Sequence, residues 1–214
     1  MIHFFQRNRK LLLRALVLGL MTTLILQTTL LAQQCQGIRD NVLRLHVLAN
    51  SDTAEDQQLK YAVRDALLTK GGALLQGART KEQALSLARE QLPALTQIAA
   101  DTLREQGSDQ TVAVTLSDAY FDTRRYDTVT LPAGNYTALR VVLGKGGGQN
   151  WWCVMFPNLC IPAAGQIDEQ NDSLRQVLTK GQTELVEGGR PYRIKFKTVE
   201  VVESALHRIK ERWS

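Results

Sequence analysis

No acidic residue occurs among the first 32 positions of this 214-residue chain. Arg7, Arg9, Lys10 and Arg14 therefore stand uncompensated in front of a run that is apolar from Ala15 to Leu31, broken only by Thr22, Thr23, Gln27, Thr28 and Thr29. A core helix of a soluble domain would leave the basic cluster at its mouth unexplained, whereas a signal sequence requires it. The most apolar part, Ala15 to Leu26, is shorter than the roughly 20 residues needed to cross a bilayer core; Leu30 and Leu31 extend it enough to span. A cleaved signal and a retained anchor both fit. A cut after Ala32 meets Leu30 where a small residue is preferred, and no lipobox precedes Cys35, because Gln34 occupies the position of the required small residue. In both cases the positive charge lies on the N-terminal side, which places the body outside the cytoplasm. The expected division is 1–32 as signal peptide or membrane anchor and 33–214 as an extracytoplasmic domain.

The chain is also poor in cysteine. Cys35, Cys153 and Cys160 number three, so at least one cannot pair within the chain. Outside a reducing cytoplasm, Cys153 and Cys160, separated by six residues that include Pro157, are the disulfide candidate and Cys35 is the spare. A Cys-x6-Cys spacing with no second ligand pair nearby does not suggest zinc, and no cofactor or metal is expected. The charge balance argues against nucleic acid: of 26 basic residues, four precede residue 33, leaving 22 against 21 acidic ones, a net charge of about +1.

Along the body, Leu43, Leu45 and Val47 alternate in a strand that Asn50 to Thr53 stops. Asp52 and Glu55 form a capping-box-like start for a helix carrying Leu59, Ala62, Val63, Ala66 and Leu67, which Gly71-Gly72 ends. Helical patterns follow over Ala84 to Leu92 and, after Pro93, over Leu95 to Leu103, closed by Gly107. Val112, Val114 and Leu116 mark a second strand, Thr137 to Leu143 a third and Trp152 to Phe156 a fourth, with Tyr120 to Tyr136 as a connection or irregular hairpin. Asp172 caps a short helix through Lys180, Tyr192 to Phe196 form a last strand, and the stripe Val199, Val202, Leu206, Ile209 and Trp213 makes a closing helix. The fold class is mixed α/β (α+β): one domain with a mixed sheet of about four to five strands and about four to five helices, preceded by the signal or anchor helix.

Three features invite a functional reading. Asn50-Ser51-Asp52 lies at a helix start, where free backbone donors could hold an anion, although these residue types more often cap the helix themselves. Gly144-Lys-Gly-Gly-Gly148 lacks the spacing of a phosphate loop and serves as a flexible lead into Asn150-Trp151-Trp152-Cys153. Adjacent tryptophans on a strand point to opposite faces, so one is expected in the core and the other exposed as a partner anchor, against the alternative that both are buried. His46 and Cys153 could form a thiol and base, with a carboxylate such as Asp52, in an envelope hydrolase, but no recognised signature surrounds either.

Leu45-His-Val-Leu-Ala-Asn-Ser-Asp52, Asp56-Gln-x-Leu-Lys60, Val63-Arg-Asp65 and Asn150-Trp-Trp-Cys-Val-Met-Phe-Pro157 through Cys160 together resemble the stage II sporulation protein R family. The resemblance runs from about Ile38 to Phe196, with no matching motif over Gly71 to Gly107 and Ala163 to Gly189. It implies a non-enzymatic signal of endospore formation, exported from the forespore into the space between the two membranes. There it activates a membrane-embedded aspartic protease of the mother cell, which removes the pro-sequence of pro-sigma-E. The partner-binding residues expected on this reading are Asn50, Ser51, Asp52, Asn150, Trp151 and Trp152, with the membrane engaged through the N-terminal segment if it is uncleaved.

Overall fold

The computed structural model describes residues 9–126, 129–157 and 174–187. It divides into two compact units, Met1–Gln36 and Gly37–Ser214.

The described residues of the first unit are helical. Helix α1 begins there and runs over Arg9–Asp40; an 18-residue window of it has a mean hydropathy of 1.9 and none of that window is buried. By length and composition it could cross a membrane, and it suits a signal or an anchor. The threonines do not break it. The hydroxyls of Thr22, Thr23 and Thr29 each donate to the carbonyl four residues back at 2.8 Å, and Thr28 bonds Leu24 and Ile25 in the same way, so these polar groups are satisfied inside the helix.

The second unit is built on a four-stranded mixed sheet. Its strands are β1 (Leu43–Leu48), β2 (Val112–Phe121), β5 (Gly134–Leu143) and β6 (Asn150–Phe156), in the order β2-β5-β1-β6; β3 (Arg124–Tyr126) and β4 (Val129–Leu131) form a separate hairpin. β1 pairs parallel with β5 and antiparallel with β6, and β2 is antiparallel to β5. Helices α2 (Ala54–Ala66), α3 (Lys81–Glu90) and α4 (Leu92–Glu105) cover one face of the sheet. There Leu59, Val63, Leu67, Ala84, Ala88, Leu95, Ala99 and Leu103 pack on Leu43, Leu45, Val47, Leu139, Val141 and Met155. Because β1 is central, all six of its residues are buried, including Arg44 and His46, which point to the face opposite Leu45.

Several elements differ from the sequence-based expectation. Thr53, not Asp52, caps α2: its hydroxyl accepts from the Asp56 amide. Gly71-Gly72 does not end the helix, which continues through a π turn, Leu67–Gly71, and a further turn, Gly72–Leu74. Leu67, Leu68 and Leu75 are buried along this stretch, and Gly71 lies against Leu95 where a Cβ would approach to 2.9 Å, so core packing outweighs glycine's poor helix propensity. β2 and β5 are longer than expected because Tyr120 and Phe121 pair with Asn135 and Gly134. A helix running through Lys180 is not found. Residues 174–177 are helical, Leu178 and Thr179 interrupt, and α5 (Lys180–Glu187) starts afresh. At that restart Gln182 N donates to Thr179 Oγ1 at 3.4 Å and Thr179 N donates to Gln182 Oε1 at 3.0 Å, a reciprocal cap that the spacing Thr-x-x-Gln encodes. Asp172, the expected strand Tyr192 to Phe196 and the expected closing helix Val199 to Trp213 lie outside the described residues.

Candidate partner-binding site

The turn after β1 and the loop before β6 are far apart in sequence and bonded to each other in space. Ala49 O accepts from Gly148 N at 2.9 Å, Asn50 O from Gly147 N at 3.1 Å, Asn50 Oδ1 from Lys145 N at 2.9 Å and Asp52 Oδ1 from Gln149 N at 2.7 Å. Asn50 and Asp52 thus spend their side chains on the loop, which corrects their assignment as helix caps. The glycines permit the contact. A Cβ on Gly148 would stand 2.2 Å from Ser51 O, and Gly144, at φ +53°, would place one 2.3 Å from Asn50 Oδ1. Gly148→Ala is therefore expected to displace the loop and lower stability by about 1–3 kcal/mol, read as a reduced urea midpoint with an unchanged m value.

Asp56 ties the joint from below. Its Oδ2 accepts from Asn50 Nδ2 at 2.9 Å and from the Ser51 hydroxyl, and its Oδ1 accepts from Gln110 Nε2 at 2.6 Å. These bonds, Ser51's foremost and then Gln110's, hold the carboxyl below its ordinary pKa. Gln57 Nε2 donates to Ser51 O at 2.9 Å, and the buried Lys60 amine bonds Gln57 Oε1 and, at 3.3 Å, Gln149 O. Of these groups, Gln110 was not legible from the sequence, since it lies 54 positions from Asp56.

The tryptophans do point to opposite faces, as an extended strand requires, but neither is fully core nor fully exposed; both are half-buried. Each is filled in by neighbours that the sequence did not announce. Trp151, on the helix face, meets Tyr61 edge-on at 5.5 Å between centroids and lies under the Arg64 guanidinium at 4.4 Å. Arg64 also sits 4.9 Å from the Tyr61 ring and bonds Asp65 at 2.6 Å, which fixes its plane. Trp152, on the other face, stacks on His46 at 3.7 Å and meets Phe121 edge-on at 4.6 Å. His46 Nε2 reaches Asn150 Oδ1 at 3.1 Å, joining the start of the Asn150 block to β1 beside it.

Cys153 and His46 cannot act together. Cys153 pairs with Leu45 and shares its face of the sheet, whereas His46 pairs with Trp152 on the opposite face. Cys153 is buried and disulfide-bonded; Cys160, its expected partner, lies outside the described residues, and Cys35 is buried and not part of a disulfide. Among the described residues no group of three or more His, Cys, Asp and Glu could hold a metal ion.

Comparison with known proteins bears on this arrangement directly. The profile of the family described as stage II sporulation protein R matches residues 39–166, which takes in the sheet from β1 to β6, the Asn50 turn and the tryptophan pair. The chain belongs to the stage II sporulation protein R family. It is 36% identical over 149 residues to the stage II sporulation protein R of Bacillus subtilis (strain 168), a match covering 70% of this chain and 66% of that relative's length. No solved structure matches it. In this family member the bonded unit of turn, loop and tryptophan pair falls wholly within the matched region.

Burial lowers the His46 pKa below its ordinary value of about 6.5; the Asn150 bond opposes this and the nearby Arg140 charge adds to it. The unfolded chain then binds more protons than the folded one once pH falls below about 6.5, so the His46 contribution is complete above that pH and shrinks as pH drops toward the folded pKa. His46→Gln is expected to flatten this slope between about pH 6.5 and 5, measured as the urea midpoint against pH. Asp56 acts lower: its depressed pKa gives stability present above the ordinary carboxylate value of about 4 and lost on acidification below it.

Proposed function

We propose that this protein is an exported signal of endospore formation that passes from the forespore into the intermembrane space and activates the membrane-embedded aspartic protease of the mother cell that processes pro-sigma-E. Family membership over residues 39–166 carries this reading. The apolar helix α1 supports export or anchoring, through which the chain would engage the membrane. A non-enzymatic role is favoured because the one nucleophile and base the sequence offered lie on opposite faces of the sheet. The partner-binding residues of this proposal are Asn50, Ser51, Asp52, Asn150, Trp151 and Trp152. A Cys153–Cys160 disulfide would act as a staple beneath them, lowering stability by about 2–4 kcal/mol on removal without abolishing signalling by the folded fraction.

An activator must bind the protease's active arrangement better than its resting one, since equal affinity shifts nothing. For an aspartic protease that arrangement brings two aspartates together, so the proposed effect is to stabilise a dimer or closed form. The test is whether the full chain restores pro-sigma-E cleavage in cells that make the protease and lack this protein; no cleavage at normal exported level would overturn the reading. Within that assay Trp151→Ala is expected to weaken binding by about 2 kcal/mol, roughly thirtyfold, per folded molecule, beside a loss of stability from its contacts with the core, Tyr61 and Arg64. Trp152→Ala, which removes the stack on His46 and the edge-on contact with Phe121, is expected mainly to lower the melting temperature. Normal processing by a folded Trp151→Ala variant would move the contact elsewhere.

A further inference from the structure

Among the described residues of the second unit, Tyr61 is the one large apolar side chain left exposed, at 38%. It lies on α2, with Arg64 one turn further along the same helix. Three groups pack on its ring. Trp151 of β6 meets it edge-on, the Arg64 guanidinium lies 4.9 Å from its centroid and the Lys60 amine lies 4.7 Å from it. Lys60 is 2% exposed and bonds only neutral oxygens, Gln57 Oε1 and Gln149 O. Burial lowers its pKa below the ordinary value and the Arg64 charge lowers it further, while Asp52 opposes both. Arg64 is only partly committed. Its Nε and Nη2 donate to the two oxygens of Asp65 at 2.6 and 3.0 Å, whereas Nη1 has no partner among the described residues and the side chain is 18% exposed. Two cations thus stand behind and beside an open aromatic ring, with a single carboxylate bonded to them.

We propose that Tyr61 and Arg64, beside Trp151, receive an acidic stretch of the protease's extracytoplasmic part: an Asp or Glu carboxylate accepts from Arg64 Nη1 while an apolar neighbour in the same stretch covers the Tyr61 ring. Charge complementarity selects that occupant, because the surplus charge of this face is positive. The guanidinium is already oriented by Asp65 and by the Tyr61 and Trp151 rings, so little side-chain freedom is lost when a second carboxylate binds it. Tyr, Trp and Arg are also the residue types that dominate binding energy at protein interfaces, and here they adjoin. An anionic membrane is read by clusters of about 4–8 cations, whereas this face has Lys60 and Arg64 alone, with Asp65 bonded and Asp52 near. A second copy docked about a two-fold axis at Tyr61 would set both cations against their own like charges. The inference rests on the proposed signalling role and extends its surface from Trp151 along α2.

Arg64→Glu and Tyr61→Ala in the full chain test it, beside the conservative variants Arg64→Lys and Tyr61→Phe. Each is read for melting temperature, sedimentation, co-purification of the detergent-solubilised protease, retention on phosphatidylglycerol vesicles and pro-sigma-E processing. Per folded molecule, Arg64→Glu and Tyr61→Ala are expected to lower co-purification and processing about tenfold or more. Arg64→Lys, which keeps the charge but not the planar fork, should lose less, and Tyr61→Phe should match wild type. Changing one acidic residue of the protease's extracytoplasmic part to Lys should restore binding to Arg64→Glu. Arg64→Gln, uncharged and of similar length, decides the matter if Arg64→Glu fails to fold. Folded Arg64 variants that bind and process as wild type does would overturn the proposal. Three other results would do the same: lost vesicle retention with protease binding unchanged, a wild-type dimer that the substitutions convert to monomer, or no acidic residue of the protease whose reversal restores binding. Wild-type chain that binds through this face without restoring processing would overturn the signalling role and leave the contact standing; wild-type chain that does neither would overturn both.

Discussion

Asp56→Ala is expected to lower folding stability by about 2–4 kcal/mol and to release the Gly144 to Gln149 loop from the body. The carboxylate accepts from Asn50 Nδ2, the Ser51 hydroxyl and Gln110 Nε2, so its removal leaves three donors without their acceptor at a position where Asp56 itself is only 6% exposed. A bond to a charged group contributes about 1.5–3 kcal/mol, but water reaches Ser51 and Gln110 in part, which keeps the total below a simple sum. The effect is also positional. The Asn50 amide that accepts from Lys145 N through its Oδ1 is held by Asp56 through its Nδ2. Amide exchange at Lys145, Gly147, Gly148 and Gln149 should therefore accelerate more than exchange in β1 or β5. Asp56→Asn, which retains the volume and loses the charge, should fall between the two proteins. Unchanged exchange in the loop of Asp56→Ala would show that the backbone bonds from Gly147 and Gly148 suffice without the side-chain joint.

Arg44→Ala is expected to cost about 3–5 kcal/mol, and Arg44→Met to recover most of it. Arg44 is fully buried, with its guanidinium 4.3 Å from the Phe121 ring centroid, 4.9 Å from Tyr136 and 5.3 Å from Tyr126. Its Nε donates to Cys153 O at 2.9 Å and its Nη2 to the Tyr126 hydroxyl, which in turn donates to Trp152 O at 3.2 Å; Nη1 has no partner. No carboxylate among the described residues offsets the charge, and burial pulls the guanidinium pKa below its ordinary value. Truncation to Ala opens a void between three rings. Met fills much of that volume and carries no charge to desolvate, so it gives up the hydrogen bonds and also removes the burial penalty. Melting temperatures of the two variants decide the matter: an Arg44→Met protein as unstable as Arg44→Ala would show that the bonds from Nε and Nη2, not the filled volume, hold the β3–β4 hairpin against the sheet.

Much of this architecture could be read from residue order. Alternation at Leu43, Leu45 and Val47 marks β1, and three-four spacing at Leu59, Val63 and Leu67 marks α2, because each pattern repeats with the period of its own element. The four motif blocks were legible as blocks, and Asp56-Gln-x-Leu-Lys60 turns out to be the underside of the Asn50 turn. Boundaries were less legible. Asp52 and Thr53 are both competent caps, and the choice between them fell to Thr53 because Asp52 is drawn to Gln149 N, 97 positions away. Gly71-Gly72 reads locally as a stop, yet burial of Leu67, Leu68 and Leu75 carries the helix across it.

By itself, then, the sequence determined the apolar N-terminal helix that suits a signal or an anchor, the mixed α+β class and the opposed directions of the two tryptophans, since each follows from composition or from periodicity within one segment, while the family followed from the resemblance of four motif blocks taken together. Only the tertiary structure decided that the Asn50 turn and the Gly144 loop are a single bonded unit, that both tryptophans are half-covered, and that Cys153 and His46 are kept apart by the sheet. Those facts depend on strand order and register, and partners such as Asp56 with Gln110, or Arg44 with Tyr126, lie too far apart along the chain for a local pattern to encode their meeting.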